Sequence, residues 1–373
     1  MKNAVVVPHG GIGLSNECRE SVERYCKRFG LAPVFLPEAK VNADGVGKYK
    51  FGRFEKFQAG EVLADFDRMM LLDADTLITD LAPNVFDVVA PDKLGVVRED
   101  VLNITKTRRR HLRTAQLVMG ELDWHEGYFN SGVIVASKMH RDLWKVDNQL
   151  RQTILHPKLG KHKEQKIVNW RARKLGFELQ WMDPRWNYLR MYEKKLGEPR
   201  TNSFVIHYAG RANRKSKRVI DSRVLTARRF YNKRCQMRHS QIEWIIRQAG
   251  KRMGGKVLFF GSGYDSLMWS KICDVTFLEN NNKWYRRLYD DPRNQGIQCY
   301  LVTFDTRVSN WQEDLAAKRL NTLPPEIANS KFDVIIIDGP NGNRQSAPGR
   351  VSPILHAKRL LRRRGAIFVD DMR

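Results

Sequence analysis

Apolar and polar positions alternate along the first part of the chain in a pattern that predicts short strands separated by amphipathic helices. The apolar runs at residues 5–7, 34–36 and 68–72 predict strands. The strand at residues 68–72 is expected to be buried, because all but its first residue are apolar. Residues 15–29 and 52–63 show helical periodicity, and the first of these helices opens with a serine, a common N-cap. This alternation favours an α/β domain with a mainly parallel sheet.

A second alternation of the same kind begins near Lys256. The predicted strands of this series are residues 256–260, 275–278, 298–304, 334–337 and 366–369. Helical stretches are predicted at residues 266–271 and 284–289. The sequence therefore predicts a second α/β domain after the first.

Length and composition agree with two domains. The chain has 373 residues and 42% hydrophobic content, which is enough for two cores. No apolar run reaches the roughly 18 residues that a membrane-spanning helix needs, and the N-terminus lacks the pattern of a signal peptide. The five cysteines are scattered and odd in number, which predicts free thiols in a reducing compartment. A cytoplasmic location is therefore expected.

Positive charge is concentrated in one stretch of the chain. The formal net charge is +25, and residues 211–252 hold 14 Lys or Arg against two acidic residues. One interpretation is a surface that docks on an anionic polymer or a membrane surface, and the other is a solvated basic connector. Nothing in the sequence resembles a zinc finger, a basic zipper or an RNA-recognition motif, so nucleic acid is the less favoured partner.

The sharpest chemical feature is a pair of carboxylates directly after the predicted buried strand. Asp73 and Asp75 are spaced i, i+2, so in an extended chain their side chains share one face. Hard oxygen ligands of this kind suit Mn²⁺ or Mg²⁺, and such a cation can bridge a substrate diphosphate. An isolated Asp-x-Asp is commonly a solvated turn, but the preceding apolar strand favours a functional site.

Further segments in the same half carry a family resemblance. They are residues 53–56 (RFEK), 67–77 (DRMMLLDADTL), 128–133 (YFNSGV), 164–169 (EQKIVN) and 206–210 (IHYAG). In this order they resemble the GT-A glycosyltransferases of the glycosyltransferase family 8 type over about residues 1–215.

The resemblance implies a retaining enzyme that uses a nucleotide-sugar donor and a sugar or glycan acceptor. The residues implied to ligate Mn²⁺ or Mg²⁺ are Asp73, Asp75 and His207. The residues implied to bind the donor besides these are Arg53, Lys56, Asn130, Ser131 and Lys215, the last as one of several basic residues near 211–215 that could contact the diphosphate. Glu164, where the family has Asp, and Gln165 would flank the anomeric carbon. Alternatively, Arg53 and Lys56 only cap or cover a helix.

The second half contains a glycine turn between a predicted strand and a predicted helix. Gly261 and Gly263 allow a tight turn and a close approach of a ligand to the backbone. Glu279 ends the next predicted strand, where an acid can accept hydrogen bonds from both hydroxyls of a ribose. The third glycine of a dinucleotide turn is missing, so S-adenosylmethionine fits better than a dinucleotide, and a plain turn remains open.

This half resembles the polysaccharide-biosynthesis methyltransferases that include glucuronoxylan 4-O-methyltransferases. The matching segments are residues 260–269, 277–279, 283–284, 333–340, 347–350 and 368–371. The residues implied to hold S-adenosylmethionine are Gly261, Gly263, Glu279 and Asp305, the last of which is alternatively a turn residue. The residues implied to hold a second divalent cation are Asp338, Asp370 and Asp371. Asp338 would also be catalytic, and Arg350 would bind a sugar carboxylate or form a salt bridge within its loop.

The sequence thus predicts an α/β protein with two Rossmann-like domains. A GT-A nucleotide-sugar domain is expected over residues 1–215, a basic linker or helix over 216–240, and a class I S-adenosylmethionine-dependent methyltransferase domain, lacking its last strands, over 241–373. The expected function is bifunctional: metal-dependent sugar transfer followed by O-methylation of a sugar hydroxyl. The alternatives are an active glycosyltransferase with a non-catalytic, methyltransferase-like docking domain, and a basic nucleic-acid-binding protein.

Overall fold

The chain forms two compact units. The computed structural model describes residues 1–10, 13–41, 51–100, 105–209, 214–235, 237–304, 306–310, 312, 323–340 and 345–370. The units are Met1–Arg214 and Lys215–Arg373. Among the helices in these ranges, none is both long enough and apolar enough to cross a membrane.

The first unit is built on a six-stranded mixed sheet and a separate two-stranded ladder. Its strands are β1 (Asn3–Pro8), β2 (Ala32–Leu36), β3 (Arg68–Leu72), β4 (Thr76–Ile78), β5 (Leu94–Arg98), β6 (Phe129–Ser137), β7 (Leu179–Trp181) and β8 (Val205–His207). The large sheet has the order β2-β1-β3-β6-β5-β7, and β4 pairs with β8. Strand β6 runs antiparallel to both of its neighbours, whereas the other pairs of the large sheet are parallel, as expected from the sequence.

Helices cover this sheet. They are α1 (Asn16–Phe29), α2 (Ala59–Asp65), α3 (Val85–Val88), α4 (Thr105–Met119), α5 (Asn148–Leu155), α6 (Lys163–Lys174) and α7 (Arg190–Leu196). The predicted serine cap of α1 is confirmed, since the hydroxyl of Ser15 accepts a hydrogen bond from the amide of Cys18. The helix predicted over residues 52–63 is split into a 3₁₀ helix, Phe51–Gln58, and α2.

Strand β3 lies between two apolar cores, which explains why the sequence pattern predicts it so clearly. Met69 and Leu71 pack into the core on one face of the sheet, and Met70 and Leu72 pack into the core on the other. All four are fully buried, and each such burial contributes on the order of 1.5–3 kcal/mol. The strand is therefore firmly held up to the residue that precedes Asp73.

The second unit contains a five-stranded parallel sheet with helices on both faces. Its strands are β9 (Lys256–Phe260), β10 (Asp274–Glu279), β11 (Gln298–Leu301), β12 (Phe332–Ile337) and β13 (Leu361–Val369). Its helices are α8 (Arg214–Phe230), which starts at the boundary, α9 (His239–Ala249), α10 (Ser266–Ile272), α11 (Asn282–Asp290), α12 (Pro325–Ala328) and α13 (Val351–Leu360). The strand order is β11-β10-β9-β12-β13.

This order places β9 at the centre and reverses the direction of winding beside it. Val257 and Phe259 face a core shared with α8 to α11, and Leu258 and Phe260 face the opposite core, which includes α13. In such an open parallel sheet, ligands bind outside the carboxyl ends of the strands where the winding reverses. The helical part of the predicted 216–240 segment packs into the first of these cores through Val224 and other apolar residues.

Candidate functional site

Two short strands bring together the three residues predicted to hold a cation in the first unit. Strand β4 begins directly after Asp75 and pairs with β8, so that Thr76 lies opposite His207. Strand β3 ends directly before Asp73. One ligand atom from each of Asp73, Asp75 and His207 lies within 4.8 Å of the others. The Asp-x-Asp and the histidine are therefore held in one cluster, although about 130 residues separate them in the chain.

A chain of amides sets the orientation of the His207 ring. The backbone amide of Gly132 donates to Oδ1 of Asn130, and Nδ2 of Asn187 donates to the same oxygen. Asn187 therefore presents its own Oδ1 to Nδ1 of His207, at 2.8 Å, and that nitrogen must be the donor. The other ring nitrogen, Nε2, lies 3.2 Å from Asp75 and 3.5 Å from Asp73.

The surroundings of His207 favour positive charge at this point. Burial opposes protonation of the ring, but the nearby carboxylates of Asp75 and Asp73 outweigh burial and raise the pKa of His207. Close packing also fixes the ring, because a Cβ added to Gly132 would lie 2.3 Å from Cε1 of His207. A cation placed among these ligands would take over the role of the ring proton.

Lys56 forms the second part of the site. It lies in the 3₁₀ helix before α2 and is 97% buried, and its Nζ is 2.7 Å from Oδ1 of Asp73. The same Nζ donates to the carbonyl and the hydroxyl of Ser131, each at 3.0 Å, and lies 3.8 Å from Glu164. The ammonium group therefore has three close acceptors and joins the cation ligands to Ser131 and Glu164.

The first turn of α6 contributes Glu164 and Gln165, both buried. Ser131 Oγ donates to Glu164 at 3.3 Å, and Gln165 Nε2 donates to Oε2 of Glu99 at 2.8 Å. Glu99 is also held by Arg108, whose Nη2 lies 2.6 Å from Oε1. The structure thus gathers Lys56, Asn130, Ser131, Glu164 and Gln165 beside the three predicted cation ligands.

Some predicted residues are not part of this buried network. Arg53 is exposed in the 3₁₀ helix, and Lys215 is exposed at the start of the second unit. Their contacts with a donor remain predictions. Sequence reasoning missed Glu99, Arg108 and Asn187, and the available signal was an acid, Glu99, directly after strand β5.

In the second unit, a glycine turn joins β9 to α10 as predicted. Gly261 has a positive φ of 101°, and a Cβ there would lie 3.0 Å from the amide nitrogen of Gly339. Gly263 donates its amide to the hydroxyl of Ser266 at 3.0 Å. The turn therefore needs glycine at 261 because two backbone segments meet there.

Glu279 ends β10 beside this turn, as predicted, and is buried. Its Oε2 accepts hydrogen bonds from the amide and the hydroxyl of Ser262, both at 2.7 Å, and its Oε1 accepts one from the amide of Asn281, also at 2.7 Å. Among the described residues, no second donor to Oε1 is found, so a further donor such as a ribose hydroxyl could bind there.

Carboxylates gather at the carboxyl ends of β12 and β13. Burial, and then the charges of Asp265 and Asp370, raise the pKa of Asp338 to about 7, although Arg350 opposes this. Burial likewise raises the pKa of Asp265, whose Oδ2 accepts from the Trp269 indole at 3.2 Å. Asp265 is a residue that sequence reasoning missed.

The predicted second cation site is only partly described. Asp370 accepts from Gln241 at 3.0 Å, and Asp371 and Asp305 lie outside the described residues. Within the described part of the chain, only the cluster of Asp73, Asp75 and His207 brings three ligands together. For Arg350 the structure gives a salt bridge, with Nη2 at 2.8 Å from the carbonyl and 3.7 Å from Oδ1 of Asp338.

Comparison with known proteins identifies both halves. Residues 49–215 match the family model described as Glycosyl transferase family 8. The N-terminal half carries a glycosyltransferase family 8 domain. Residues 316–372 match the family model described as IRX15/IRX15L/GXM, so the C-terminal part carries a domain of that methyltransferase-like type. Both resemblances noted in the sequence are confirmed.

The curated relatives each match about a third of this chain. Glucuronoxylan 4-O-methyltransferases 1 and 2 of Arabidopsis thaliana are each 30% identical, over 152 and 163 residues, covering 34% and 37% of this chain and 53% and 56% of the relatives. Arabinogalactan O-methyltransferase 2 of the same plant is 26% identical over 167 residues, covering 37% of this chain and 57% of that relative. The chain therefore spans just over half the length of the curated relatives it matches.

Solved structures resemble the chain only loosely. A glycosyltransferase involved in the glycosylation of the major capsid of PBCV-1 aligns with a TM-score of 0.39 and 12% identity, covering 58% of this chain and 99% of that one. The galactosyltransferase LgtC aligns with a TM-score of 0.36 and 16% identity, covering 56% and 88%. The family match, rather than these likenesses, supports a GT-A-like fold with mixed α/β sheets in the first unit.

Proposed function

We propose that the first unit transfers a sugar from a nucleotide-sugar donor in a reaction that depends on Mn²⁺ or Mg²⁺. The observation that carries this proposal is the cluster of Asp73, Asp75 and His207, with Lys56 beside it. Two carboxylates and an imidazole nitrogen are a ligand set that these cations accept. The fit is good because Asn187 occupies Nδ1 and leaves Nε2 facing both carboxylates. When bound, the cation would neutralise charge on the departing diphosphate.

The side chains of the unit would bind and orient the reactants. Lys56 carries a positive charge close to the place where a diphosphate would bridge to Asp73, so it stabilises the leaving group as charge develops. Glu164 and Gln165 are held by Ser131 and Glu99, and both would face the anomeric carbon of the donor. Retention of configuration at that carbon is part of the proposal, and it rests on the family 8 match.

The second unit, in this proposal, binds S-adenosylmethionine at the glycine turn and methylates a sugar hydroxyl. Gly261 and Gly263 would lie against the cofactor, and Glu279 would accept from its ribose. The support is the match to plant O-methyltransferases that act, by their names, on glucuronoxylan and arabinogalactan. Coupling is reasonable if the newly transferred sugar is the methyl acceptor, and the glycan would then be the shared substrate.

Asp338 is the proposed catalytic group of the second unit. A carboxylate with a pKa near 7 can accept the proton of a sugar hydroxyl at neutral pH while the oxygen takes the methyl group from the sulfonium. The crowded acids around Asp338 favour a second possibility, in which Asp338, Asp370 and Asp371 bind a divalent cation that acidifies the hydroxyl. Dependence of methyl transfer on added Mg²⁺ or Mn²⁺ separates the two possibilities.

The sugar-transfer proposal is tested by Asp75→Ala. Donor hydrolysis with Mn²⁺ should fall by about 10³-fold or more, and calorimetry should show no Mn²⁺-dependent binding of nucleoside diphosphate. Asp123→Ala, at an exposed aspartate of the same unit, should change neither measurement. Unchanged cation-dependent binding in Asp75→Ala would refute the assignment.

The methylation proposal is tested by Asp338→Asn. Methyl transfer to an oligosaccharide acceptor should be lost, whereas S-adenosylmethionine should still bind, since Glu279 and the glycine turn are intact. Full methyl transfer in this variant would contradict the catalytic role. The alternative of a docking domain would be favoured if the unsubstituted protein binds the cofactor but transfers no methyl group under any cation condition.

The alternative of a nucleic-acid-binding protein would be favoured if the chain hydrolyses no donor and binds nucleic acid with a steep salt dependence.

A further inference from the structure

A buried ion pair lies behind Gln165, and its two members come from different elements of the first unit. Glu99 directly follows strand β5 and is 1% exposed, and Arg108 lies near the start of α4 and is 8% exposed. Nη2 of Arg108 is 2.6 Å from Oε1 of Glu99. Among the described residues, no other cationic side chain forms a salt bridge with this carboxylate. A carboxylate buried this deeply depends on such a partner, so Arg108 compensates the charge of Glu99.

The neighbours of the pair do not supply this charge in place of Arg108. Nδ1 of His111 lies 3.4 Å from Nη1 of Arg108, but burial, followed by the charges of Lys166 and Arg108, lowers the pKa of His111 to about 3. The imidazole is therefore neutral under ordinary conditions. The guanidinium carbon of Arg108 lies 5.7 Å from the centroid of the buried Tyr128 ring, and this cation–π contact restricts its movement.

Glu99 fixes the orientation of the Gln165 amide. Its Oε2 accepts a hydrogen bond from Nε2 of Gln165 at 2.8 Å, and an ionised carboxylate can only accept. The carbonyl oxygen of Gln165 therefore lies on the other side of the amide, 3.5 Å from Nδ2 of Asn130. The amide of Asn130 is oriented differently, because its Oδ1 accepts from the backbone amide of Gly132 at 2.8 Å. Only the Gln165 amide owes its orientation to a charged side chain.

The backbone at Gln165 is held by another residue. Nδ2 of Asn169, one turn later in α6, donates to the carbonyl of Gln165 at 2.8 Å and to that of Phe129 at 2.9 Å. Oδ1 of Asn169 accepts from the amide of Phe129 at 2.9 Å. These bonds fix α6 against strand β6 without Glu99 or Arg108. Loss of the ion pair should therefore free the side-chain amide of Gln165 and leave its backbone in place.

We propose that Arg108 is a positioning residue, which acts through Glu99 and directs the carbonyl oxygen of Gln165 toward the donor sugar. This role rests on the proposed function, in which Gln165 faces the anomeric carbon. Positive charge develops at that carbon as its bond to the diphosphate breaks, and the negative end of the amide dipole stabilises this charge. Arg108 lies between the segments that carry the family resemblance, so the motifs give no role for it.

Removal of Arg108 should release this orientation. Without a compensating cation, a buried carboxyl group is driven toward its neutral form, which can donate as well as accept. A neutral Glu99 could donate to the carbonyl oxygen of Gln165, and the amide would then turn its NH₂ group toward the anomeric carbon. That group carries the wrong end of the dipole for the developing charge.

The first experiment observes the Gln165 amide directly and needs no activity. In the full chain labelled with isotope-enriched glutamine, the side-chain N–H resonances of Gln165 are assigned by their loss in Gln165→Met. Arg108→Met should shift or double these resonances, and Arg108→Lys, which keeps the charge, should restore most of their original positions. Arg113→Met is the matched control at an exposed position of the same helix and should leave them unchanged. Unchanged resonances in Arg108→Met would overturn the proposal.

The second experiment separates donor binding from catalysis in donor hydrolysis with Mn²⁺. Arg108→Met should lower kcat by about 10- to 100-fold, as expected for a displaced group at the reacting centre. The KM for the donor should change by less than about twofold, because Lys56 and the cation ligands are intact. Arg108→Lys should recover most of kcat, and Arg113→Met should match the unsubstituted protein. A rise in KM equal to the fall in kcat, or no recovery in Arg108→Lys, would show that Arg108 only supports the fold and would overturn the proposal.

A double variant covers the case in which Arg108→Met does not fold. Arg108→Met combined with Glu99→Gln removes both charges, so that no buried charge is left unpaired. The introduced amide can donate or accept, so Gln165 should again lose its single orientation and kcat should fall as in Arg108→Met. Unmoved Gln165 resonances in the double variant would contradict the proposal. If the unsubstituted chain hydrolyses no donor, the proposed function fails, whereas the resonances still decide whether Arg108 orients Gln165.

Discussion

The carboxylates at the two sheet edges differ in what surrounds them. In the first unit, Asp73 has Lys56 at 2.7 Å, and Asp73 and Asp75 share the imidazole of His207. In the second unit, Asp338 has Asp265 and Asp370 as neighbours, and Arg350 is the counter-charge among the described residues that opposes them. The first group lies beside positively charged side chains, whereas burial and neighbouring acids raise the pKa of Asp338 in the second group to about 7.

This difference shows how the same device, an acid at the end of a buried strand, can serve two kinds of chemistry. A compensated acid is ready to ligate a cation without first losing a proton. An uncompensated acid near pH 7 can exchange a proton with a substrate. The predictions below either remove a partner of the charged cluster in the first unit or remove a negative charge from the group of acids in the second.

The largest effect is expected from Lys56→Met. The substitution leaves Asp73 and Glu164 without the buried ammonium, and breaking such a pair costs about 3–5 kcal/mol. Thermal or denaturant unfolding should show this loss of stability in the first unit. Mn²⁺ should restore more stability to the variant than to the unsubstituted protein, because it would replace the missing charge.

Lys93→Met is the matched control for Lys56→Met. Lys93 pairs with Glu178 at 2.6 Å, but this pair lies at the surface in contact with solvent, so only a marginal loss of stability is expected. If both variants lose the same small amount of stability, the first unit does not depend on buried charge compensation and the comparison fails.

A smaller effect is expected from the pH dependence of the second unit. The pKa of Asp338 is about 7 in the folded chain against an ordinary value of 3.8, so the folded state binds more protons between these values. The contribution of Asp338 to stability should therefore be greatest below about pH 4 and should decline by on the order of 2–4 kcal/mol as the pH rises to about 7. Asp338→Asn should remove most of this fall and should be the more stable protein at pH 8.

The measurement is thermal unfolding from pH 4 to pH 9 in EDTA. Asp290→Asn, at an exposed position on α11, should keep the full pH dependence. A flat profile in the unsubstituted protein would mean that Asp338 is not crowded as described.

The smallest effect is expected from Asn187→Leu. This substitution removes the acceptor that holds Nδ1 of His207, and the loss of such a partner typically weakens cation binding by about 10- to 100-fold. Asn187→Asp keeps an acceptor at this point and should bind Mn²⁺ more tightly than Asn187→Leu. Calorimetric Mn²⁺ titration of both variants decides the matter, and equal affinities would show that Asn187 does not position the ring.

The local pattern of apolar residues predicted those parts of the fold in which a single strand is buried along its length. Strands β3 and β9 have the predicted bounds. Successive apolar residues of each strand point alternately into the two apolar cores on either face of its sheet, so nearly the whole strand is apolar. The 3₁₀ helix that carries Lys56 was predicted as an ordinary helix, since the two differ by tertiary packing and not by periodicity.

The polar network around the candidate site could not be predicted from the local pattern of the sequence. Asn187 and Arg108 have ordinary sequence surroundings, and their importance comes from partners 20 and 9 residues away, respectively. Asp265 follows the glycine turn directly, but its proximity to Asp338 depends on how β9 and β12 pair. The family motifs indicated candidate ligand-binding residues, and strand pairing decides which other side chains contact those candidates.

The ladder between β4 and β8 has one more consequence. Only three residue pairs join Thr76–Ile78 to Val205–His207, yet they connect the two ends of a loop of about 130 residues. A cation shared by Asp75 and His207 would act as a reversible cross-link across that loop, and it would bind only while the ladder is closed. At a hundred times its dissociation constant, such a cation would add about 2.7 kcal/mol to the resistance of this region against opening. If the proposed cation binds at this cluster, its concentration would therefore influence the stability of the first unit as well as its proposed activity.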